Sequence, residues 1–421
     1  MKRILPNNWN TRSMEGGIKF DAYSKDYKHK VSVYTSAQNT DRNSYYGTGQ
    51  DPNAYGKTTD LTWMAGSQYI YSFDELLFMP ADFTAGLEYS FDHLKDEMLG
   101  YNRFTDQKVH IESFFFQNEW KNARWSFLIG GRLDKHNMIS NAVFSPRANI
   151  RYNPTPDINI RASYSSGFRA PQAFDEDMHI SAVGGEVALI ERSPDLKEEK
   201  SQSVSASVDF YQRFGGVQLN FLVEGFYTNL SDVFVLEDIG HNKQGNLIKE
   251  RRNGAGAEVM GLTLEARTVL NSWLQLQAGA TFQRSRYKEA EKWSSDDEVP
   301  EEKKMFRTPD TYGYFTATLT PYKRLMAALS GTYTGSMLVQ HLAGYIPQDI
   351  AVKTPDFFDM NIKLSYEIDL YKDSKMEFSA GVQNIFNAYQ KDFDKGEDRD
   401  ASYIYGPSTP RSYFAGIKIS F

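Results

Sequence analysis

Four aspartates near the carboxyl end of the chain are spaced as side chains that could share a metal ion. They are Asp392, Asp394, Asp398 and Asp400. Carboxylate oxygens are the ligands that Ca²⁺ prefers. An EF-hand requires glycine at the sixth position of its loop, whereas Gly396 falls at the fifth. The stretch therefore predicts either a calcium loop of another kind or an acidic loop partly neutralised by its own Lys395 and Arg399.

An arginine and several aromatic residues fall where strands of the predicted sheet give way to long polar segments. Arg169 lies just before Pro171, which ends a strand because proline has no backbone N–H to donate to the ladder. At the rim of a sheet, the guanidinium of Arg169 would pair with an acidic neighbour or bind an anion. Tyr45, Tyr46 and Trp293 are candidates for stacking on a large flat ligand, although such aromatic residues are also typical of membrane-interface girdles.

These residues are connected by segments whose side chains alternate with a period of two, which is the period of a β-strand. From Phe358 to Leu370 the even-numbered residues are apolar and the odd-numbered ones are polar, and Leu274 to Gln283 alternates similarly. The same pattern predicts about 17 strands between residues 15 and 421, among them 107–120, 123–136, 216–237 and 403–421. Short turns alternate with mostly longer polar loops, among them 171–198 and 238–253. This is the arrangement of an antiparallel transmembrane β-barrel, with the long loops outside.

Composition supports strands that present one face to lipid and the other to water. Aromatic residues make up 14% of the chain, mean hydropathy is −0.55, and no run approaches the roughly 18 apolar residues of a membrane helix. The net charge of −7 argues against a nucleic-acid partner, and the absence of cysteine excludes disulfides and thiol chemistry. A soluble all-β protein is the alternative that composition alone leaves open.

The carboxyl terminus is itself a strand of this kind. From Tyr413 to Phe421 one face is apolar and the other carries small or polar residues. If Phe421 is periplasmic, counting backwards makes the first strand run in the same direction as the last. An odd number of strands cannot close antiparallel. We therefore expect residues 1–14 to be the remnant of an outside loop, and residues 15–421 to be a barrel that lacks strands at its front.

Several stretches resemble, in the right order, the signature segments of TonB-dependent outer-membrane receptors. Gly167 to Pro171, followed by Ser193 to Lys197, is similar to the paired boxes that flank one long outside loop in that family. Asn253 to Ala266 is similar to the mid-barrel signature of the family. Val382 to Asn387, together with the carboxyl-terminal strand, resembles the closing hairpin. The resemblance covers most of the chain.

The resemblance implies a barrel of about 22 strands with an amino-terminal plug that meets the TonB complex. We expect this chain to be the carboxyl-terminal barrel portion, without the plug. In the family the terminal aromatic strand is the signal read by the barrel-assembly machinery, and Phe421 fits that role. Haem receptors of the family are expected to carry a ligating histidine between the paired boxes, where His179 lies. A lone loop histidine is otherwise an ordinary solvated side chain.

The expected function is reception and import of a large scarce ligand across the outer membrane of a Gram-negative bacterium. The ligand would be an iron–siderophore complex, haem or cobalamin. The partners would be this ligand, the TonB complex, outer-membrane lipids and the barrel-assembly machinery. No resident cofactor is expected except calcium in the outside loops, which cobalamin receptors of the family use.

Two other functions fit a barrel. The first is a passive porin-like pore. The second is an outer-membrane enzyme, which would need a serine or aspartate beside a histidine at the ends of adjacent strands. The histidines noted here, His179, His241 and His341, are scattered in predicted loops. We therefore expect no enzymatic activity.

Overall fold

The computed structural model describes residues 8–45, 55–174, 181–183, 186–243, 245–271, 273–370, 374–396 and 398–421. Almost all of its regular structure is β-strand. None of the described residues forms a helix that is long and apolar enough to cross a bilayer. The strands are β1 Asn8–Tyr23, β2 His29–Tyr45, β3 Tyr55–Leu76, β4 Met79–Met98, β5 Arg103–Lys121, β6 Trp125–His136, β7 Val143–Thr155, β8 Ile158–Arg169, β9 Ser181–Val183, β10 Glu186–Arg192, β11 Glu199–Phe214, β12 Val217–Ser231, β13 Phe234–His241, β14 Leu247–Asn253, β15 Ala257–Leu270, β16 Leu274–Glu291, β17 Glu302–Lys304, β18 Thr311–Tyr322, β19 Leu325–Thr334, β20 Leu338–His341, β21 Ile350–Lys353, β22 Phe357–Asp369, β23 Lys375–Gln383 and β24 Ser412–Ser420.

The main sheet contains 18 strands, one of which, the short β17, pairs only with the end of β16. The other 17 form an antiparallel meander in which each strand pairs with the preceding and the following strand of the sheet. The predicted all-β class and count of about 17 strands are confirmed. Within the described part of the chain, β1 hydrogen-bonds only to β2 and β24 only to β23.

The two faces of the main sheet differ as the alternation predicts. In β22, Leu364 and Tyr366 are exposed on the apolar face. On the polar face, Ser365 is buried and donates a hydrogen bond of 2.8 Å to Glu377 of β23. Lys363 lies 3.1 Å from the same carboxylate. An exposed apolar face and a polar face that carries ion pairs suit a sheet with lipid on one side and water on the other.

The connections at the two ends of the strands also differ. At one end the turns are short, as between β11 and β12, where Gly215 adopts a φ of +57° that glycine reaches without steric cost. At the other end the connections are long and contain most of the remaining structure, including β9, β10, β13, β14, β20 and β21. We call this second end the loop end. It corresponds to the side on which the sequence predicts long loops.

A small sheet of four strands lies at the loop end, in the order β13, β14, β10, β9. Strand β10 runs parallel to β14, whereas β13 and β9 are antiparallel to their neighbours. The prediction that residues 171–198 and 238–253 are loops is therefore wrong where they form β9, β10, β13 and β14. The predicted strand 216–237 is also wrong at its end, because β12 stops at Ser231 and Asp232, with a φ of +55°, turns the chain into β13.

Two groups of buried apolar side chains lie at the loop end. The first apolar cluster consists of Tyr45, Met98, Tyr101, Leu189 and Ile248, so it joins the ends of β2 and β4 to the small sheet. The second apolar cluster consists of Met337, Val339 and Tyr403, with Val352 and Tyr405 packed against it. Since burial of apolar area is the main driving force for ordering a segment, these clusters explain why the long connections are structured.

The first and last strands begin elsewhere than predicted. Residues 8–14, expected to be loop, belong to β1, because each of them has a ladder partner in β2 up to Tyr45. The final strand, expected from residue 403, begins only at Ser412. Residues before it fold into the second apolar cluster, and Pro407 and Pro410 have no N–H for a ladder.

Candidate ligand-binding site

A cavity of about 1030 Å³ opens at the loop end, between the small sheet and the turn that joins β4 to β5. We call it the loop cavity. Aromatic rings, apolar side chains and basic groups contribute to its wall, which includes Tyr101, Arg103, Phe104, Leu189, Arg192 and Lys243. Among the described lining residues the only carboxylate belongs to Glu191. The wall therefore combines a positive balance of charge with flat apolar surfaces.

Arg192, the last residue of β10, fixes the small sheet to the main sheet. Its Nη1 donates hydrogen bonds to Oε1 of Gln107 at 2.9 Å and to the carbonyl oxygen of Pro171 at 3.1 Å. The parallel pairing of β10 with β14 runs through Arg192, opposite Arg251. The side chain that brings charge into the wall therefore also links the small sheet to the main sheet.

Arg103 enters the wall from the first residue of β5 and is held by a buried carboxylate. Its Nη2 lies 2.7 Å from Oδ2 of Asp96, whose side chain is fully buried. The other carboxylate oxygen of Asp96 accepts a hydrogen bond of 2.6 Å from the hydroxyl of Thr58. Because a buried carboxylate is costly unless paired and hydrogen-bonded, this arrangement fixes the orientation of the Arg103 guanidinium.

A short segment after β8, residues 170–173, crosses onto the polar face of the main sheet. We call it the rim segment. Gln107 accepts a hydrogen bond of 2.7 Å from the backbone N–H of Ala173. Nε2 of His136 lies 3.1 Å from Oε1 of Gln172, while Nδ1 of His136 accepts from the N–H of Met138. Gln107 and His136 are both buried, so the rim segment is anchored from two neighbouring strands.

Arg169 lies at the rim, as the sequence predicts, but its guanidinium is stacked on aromatic rings. The guanidinium carbon is 3.9 Å from the ring centroid of Phe174 and 5.3 Å from that of Phe234. A planar guanidinium over a ring face is an attractive cation–π contact. Arg169 therefore joins Phe174, the residue that follows the rim segment, to β13. Anion binding by Arg169 stays a prediction.

The other residues proposed as ligand contacts are not brought together by the described structure. Tyr45 is 6% exposed within the first apolar cluster, with its ring 4.6 Å from that of Tyr55. Trp293 lies in the connection after β16, where its Nε1 donates to the carbonyl oxygen of Pro300 at 3.0 Å. Tyr46 and His179 lie outside the described residues. Phe421 follows β24 and is 98% exposed.

The aspartates of the last long connection hold that connection onto the hairpin of β20 and β21. Both carboxylate oxygens of Asp394 lie 3.0 Å from Nε2 of His341. Asp400 accepts a hydrogen bond of 3.0 Å from the N–H of Leu342, and donates its own N–H to Asp394 at 2.9 Å. Arg307 adds two hydrogen bonds to the carbonyl oxygens of residues 402 and 404.

Asp392 is held by two tyrosine hydroxyls. The hydroxyl of Tyr405 donates to it at 2.6 Å and that of Tyr403 at 3.1 Å. Burial alone would raise the pKa of Asp392, but these hydrogen bonds outweigh it and hold that pKa below its usual range. Burial and the nearby carboxylate raise the pKa of Tyr403 to about 12.

The contacts of these aspartates bear on the predicted calcium loop. Asp392, Asp394 and Asp400 each accept hydrogen bonds from the chain. The described residues contain no grouping of three or more histidine or acidic side chains that could hold a metal ion. Glu397, in the same connection, lies outside the described residues. The contacts therefore fit an acidic loop held by its own donors, and calcium binding stays a prediction.

The sequence matches the family model described as TonB dependent receptor-like, beta-barrel, over residues 4–385. This match covers most of the chain. The chain belongs to the TonB-dependent receptor β-barrel family. The polar face of the receptor barrel is accordingly its lumen face, and the loop cavity lies at the end that carries the long loops. A search of curated proteins finds no match.

The receptor barrel is similar to solved structures of siderophore receptors. It matches PirA from Pseudomonas aeruginosa with a TM-score of 0.70 and 14% identity, covering 99% of this chain and 65% of that one. It matches a mutant of the ferric enterobactin receptor PfeA from the same organism, in complex with enterobactin, with a TM-score of 0.73 and 16% identity, covering 98% and 62%. The ferric-catecholate import receptor Fiu from E. coli K12 matches with a TM-score of 0.66 and 12% identity, covering 98% and 64%. The chain thus spans less than two thirds of the length of these receptors.

Sequence reasoning missed several residues that shape the loop cavity of the receptor barrel. Gln107 and His136 are the first and last residues of two predicted strands, 107–120 and 123–136. Their polar side chains at the ends of neighbouring predicted strands were therefore the one sequence signal that could have identified Gln107 and His136 as site residues. The pairing of Arg103 with Asp96 had no such signal, because it depends on the turn between β4 and β5.

Proposed function

We propose that the receptor barrel forms part of a TonB-dependent receptor that takes up a ferric siderophore across the outer membrane of a Gram-negative bacterium. The observation that carries the proposal is the wall of the loop cavity. Arg103, Arg192 and Lys243 supply positive charge, and Tyr101 and Phe104 supply flat rings. Iron(III) held by catecholate oxygens is a bulky complex of net negative charge with aromatic surfaces. Its chemistry complements this wall.

The size of the loop cavity supports the same ligand class. Its volume of about 1030 Å³ is at the upper end of the range of ligand pockets, which is roughly 300–1,000 Å³. Membership of the TonB-dependent receptor family supports uptake, and the similar solved structures are receptors for siderophores and ferric catecholates. They are receptors and not enzymes, so we propose transport without chemical conversion.

The remaining partners follow from the family. Coupling to the TonB complex would provide the energy for import. The exposed apolar face would contact outer-membrane lipids, and Phe421 at the end of β24 would serve the barrel-assembly machinery. These partners belong to the proposal together with the location in the outer membrane.

Ligand binding to the 421-residue chain folded in detergent micelles tests the proposal. Ferric enterobactin, haemin and cyanocobalamin are titrated separately while tryptophan fluorescence is followed. We expect saturable binding of the ferric catecholate, about tenfold weaker in Arg192→Gln because a charge-assisted hydrogen bond is lost. Arg324→Gln, at the opposite end of the barrel, is the matched control and should bind like the parent chain.

The same titrations contain the outcomes that contradict the proposal. Preferential binding of haemin that is lost in His179→Ala would assign the barrel to haem instead. If none of the three ligands binds, the siderophore proposal fails. A stable ohmic conductance in planar bilayers would then favour the passive porin-like function.

A further inference from the structure

Three arginines form a patch on the lumen face of the receptor barrel, away from the loop cavity. They are Arg147 and Arg151 of β7 and Arg161 of β8, which we call the arginine patch. The neighbouring residues Ile150 and Ile160 are exposed on the opposite, apolar face. Since side chains alternate along a strand, the three guanidinium groups extend from the wall of the lumen.

The register of β7 and β8 places two of these charges against each other. Arg151 is the direct cross-strand partner of Arg161. Side chains at such positions have Cβ atoms about 4.5–5.5 Å apart, and like charges placed there are destabilising. A shift of register would separate the charges, but it would also move every residue of the strand to the wrong face. The repulsion is therefore built into the barrel.

The described residues compensate little of this charge. Arg161 has one ion pair, with Asp209 at 3.7 Å. Arg147 donates to the neutral amide of Gln117. The side chain of Arg151 makes no ion pair or hydrogen bond with any described residue, and its Nε is buried without a partner. A buried donor without a partner is costly, so this site is incomplete as it stands.

Other arginines of the lumen face are matched with carboxylates. Arg132 lies 2.8 Å from Glu88 and 2.7 Å from Asp134. Arg267 lies 3.4 Å from Glu265. Arg132 and Arg267 show that the lumen face can supply a carboxylate to an arginine, which none of its described residues does for Arg151.

We propose that the arginine patch is an oxyanion-binding site in the lumen wall. Its ligand is a carboxylate or phosphate group that bridges the guanidinium groups of Arg151 and Arg161. Such a group relieves their repulsion, takes up the free Nε donor, and matches the forked geometry of a guanidinium. Ser207 flanks Arg161 in the same row across the sheet. Ser126 flanks Arg151, and its hydroxyl donates to Glu119 at 2.9 Å. The inference does not depend on the identity of the imported ligand.

Two sources supply the same chemistry. One is a free oxyanion in the lumen, and the other is an acidic side chain of a polypeptide that occupies the lumen. The patch is tested by calorimetric titration of the 421-residue chain in detergent with inorganic phosphate at constant ionic strength. We expect saturable binding that is at least about tenfold weaker in Arg151→Gln. Arg267→Gln, whose arginine has its own carboxylate, should leave phosphate binding unchanged.

Thermal unfolding separates a binding role from a structural one. In phosphate-free buffer, Arg151→Gln should raise the Tm, because the repulsion from Arg161 is removed, while phosphate should no longer stabilise the variant. A short peptide containing glutamate is then compared with its glutamine counterpart as a competitor. If only the glutamate peptide displaces phosphate, the ligand is an acidic polypeptide. If neither peptide displaces phosphate, the ligand is a free anion.

Two results would overturn the inference. The first is phosphate affinity that is the same in the parent chain and in Arg151→Gln, or no saturable binding by the parent chain. The second is a lower Tm for Arg151→Gln in phosphate-free buffer, which a residue with a purely structural role would produce.

Discussion

The imidazole of His341 lies flat against the ring of Tyr403, with centroids 3.7 Å apart and ring planes inclined by 8°. His341 belongs to β20 and Tyr403 to the last long connection of the chain. This contact, together with the pairing of His341 with Asp394, joins two long connections at the loop end of the receptor barrel into one unit.

Replacement of His341 by alanine should release the last connection from the hairpin of β20 and β21. The variant loses the stacking on Tyr403 and leaves the buried carboxylate of Asp394 without its main side-chain partner. We expect a loss of about 1–3 kcal/mol in local stability. Hydrogen exchange of the amides in residues 390–405 measures it, and the amides of the central strands, such as those of β5, should keep their protection. Unchanged exchange in residues 390–405 would show that the contact does not hold the connection.

The pairing of Asp392 with Tyr403 and Tyr405 predicts the pH range over which the last connection stays docked. The lowered pKa of Asp392 contributes stability that is present above the ordinary pKa of about 4 and is lost as the pH falls further. The raised pKa of Tyr403 contributes stability that is present below about pH 10 and is lost as the pH rises through about 12. The contribution of Asp392 and Tyr403 to docking should therefore be constant between about pH 4 and 10.

NMR of ¹³C-labelled tyrosine tests why the pKa of Tyr403 is raised. The variant Tyr403→Phe is used to assign the signal of Tyr403. In Asp392→Asn the pKa of Tyr403 should fall below about 12 but stay above the ordinary value, because its burial remains. A pKa that does not change in Asp392→Asn would mean that burial alone sets it.

Removal of the buried carboxylate beneath the loop cavity should be strongly destabilising. Asp96→Ala leaves the guanidinium of Arg103 without its ion pair and Thr58 without its acceptor. Breaking a buried pair costs about 3–5 kcal/mol. Thermal unfolding monitored by circular dichroism measures the loss, and ferric catecholate binding should weaken with it. The exposed pair of Arg324 and Asp369 is the control, and Asp369→Ala should change stability little.

Arg169 should act through its stacking on phenylalanine. Arg169→Lys keeps the charge but loses the planar contact, so we expect it to expose the amides of the rim segment to hydrogen exchange almost as much as Arg169→Ala does. Phe174→Ala should have a similar effect, and the double variant should be no worse than the single ones, with a coupling of about 0.5–2 kcal/mol. Full protection of the rim segment in Arg169→Lys would indicate that charge alone matters at this position.

Strand periodicity and the alternation of short turns with long loops were sufficient to predict the meander, because its strands pair in the order in which they follow one another along the chain. No information about distant contacts is needed for such a fold. The small sheet could not be predicted in the same way. Strands β10 and β14 are short and pair in parallel, Ala188 with Leu247, across the whole of β11, β12 and β13. Their apolar residues are buried in the first apolar cluster, which no local pattern reveals.

Less of the candidate site could be predicted, because most of its residues are positioned by contacts between distant parts of the chain. Arg169 was placed correctly at the rim because Pro171 marks the end of β8. Its aromatic partners depend on how the rim segment and β13 fold. The charge of the loop cavity depends on Arg103 and Arg192, which come from β5 and β10. Buried contacts with Asp96 and Gln107, respectively, orient them, and no local pattern reveals these contacts.

The meander also determines how the receptor barrel would yield to force. The last strand of the meander, β24, is hydrogen-bonded to β23, and each strand before it is paired with the preceding strand of the meander, so a pull on the carboxyl terminus loads the ladder between β24 and β23 first. Strands should then leave one hairpin at a time. A force–extension curve recorded while a single molecule is pulled from the membrane should show successive force peaks, separated by the contour length of one hairpin, rather than a single rupture.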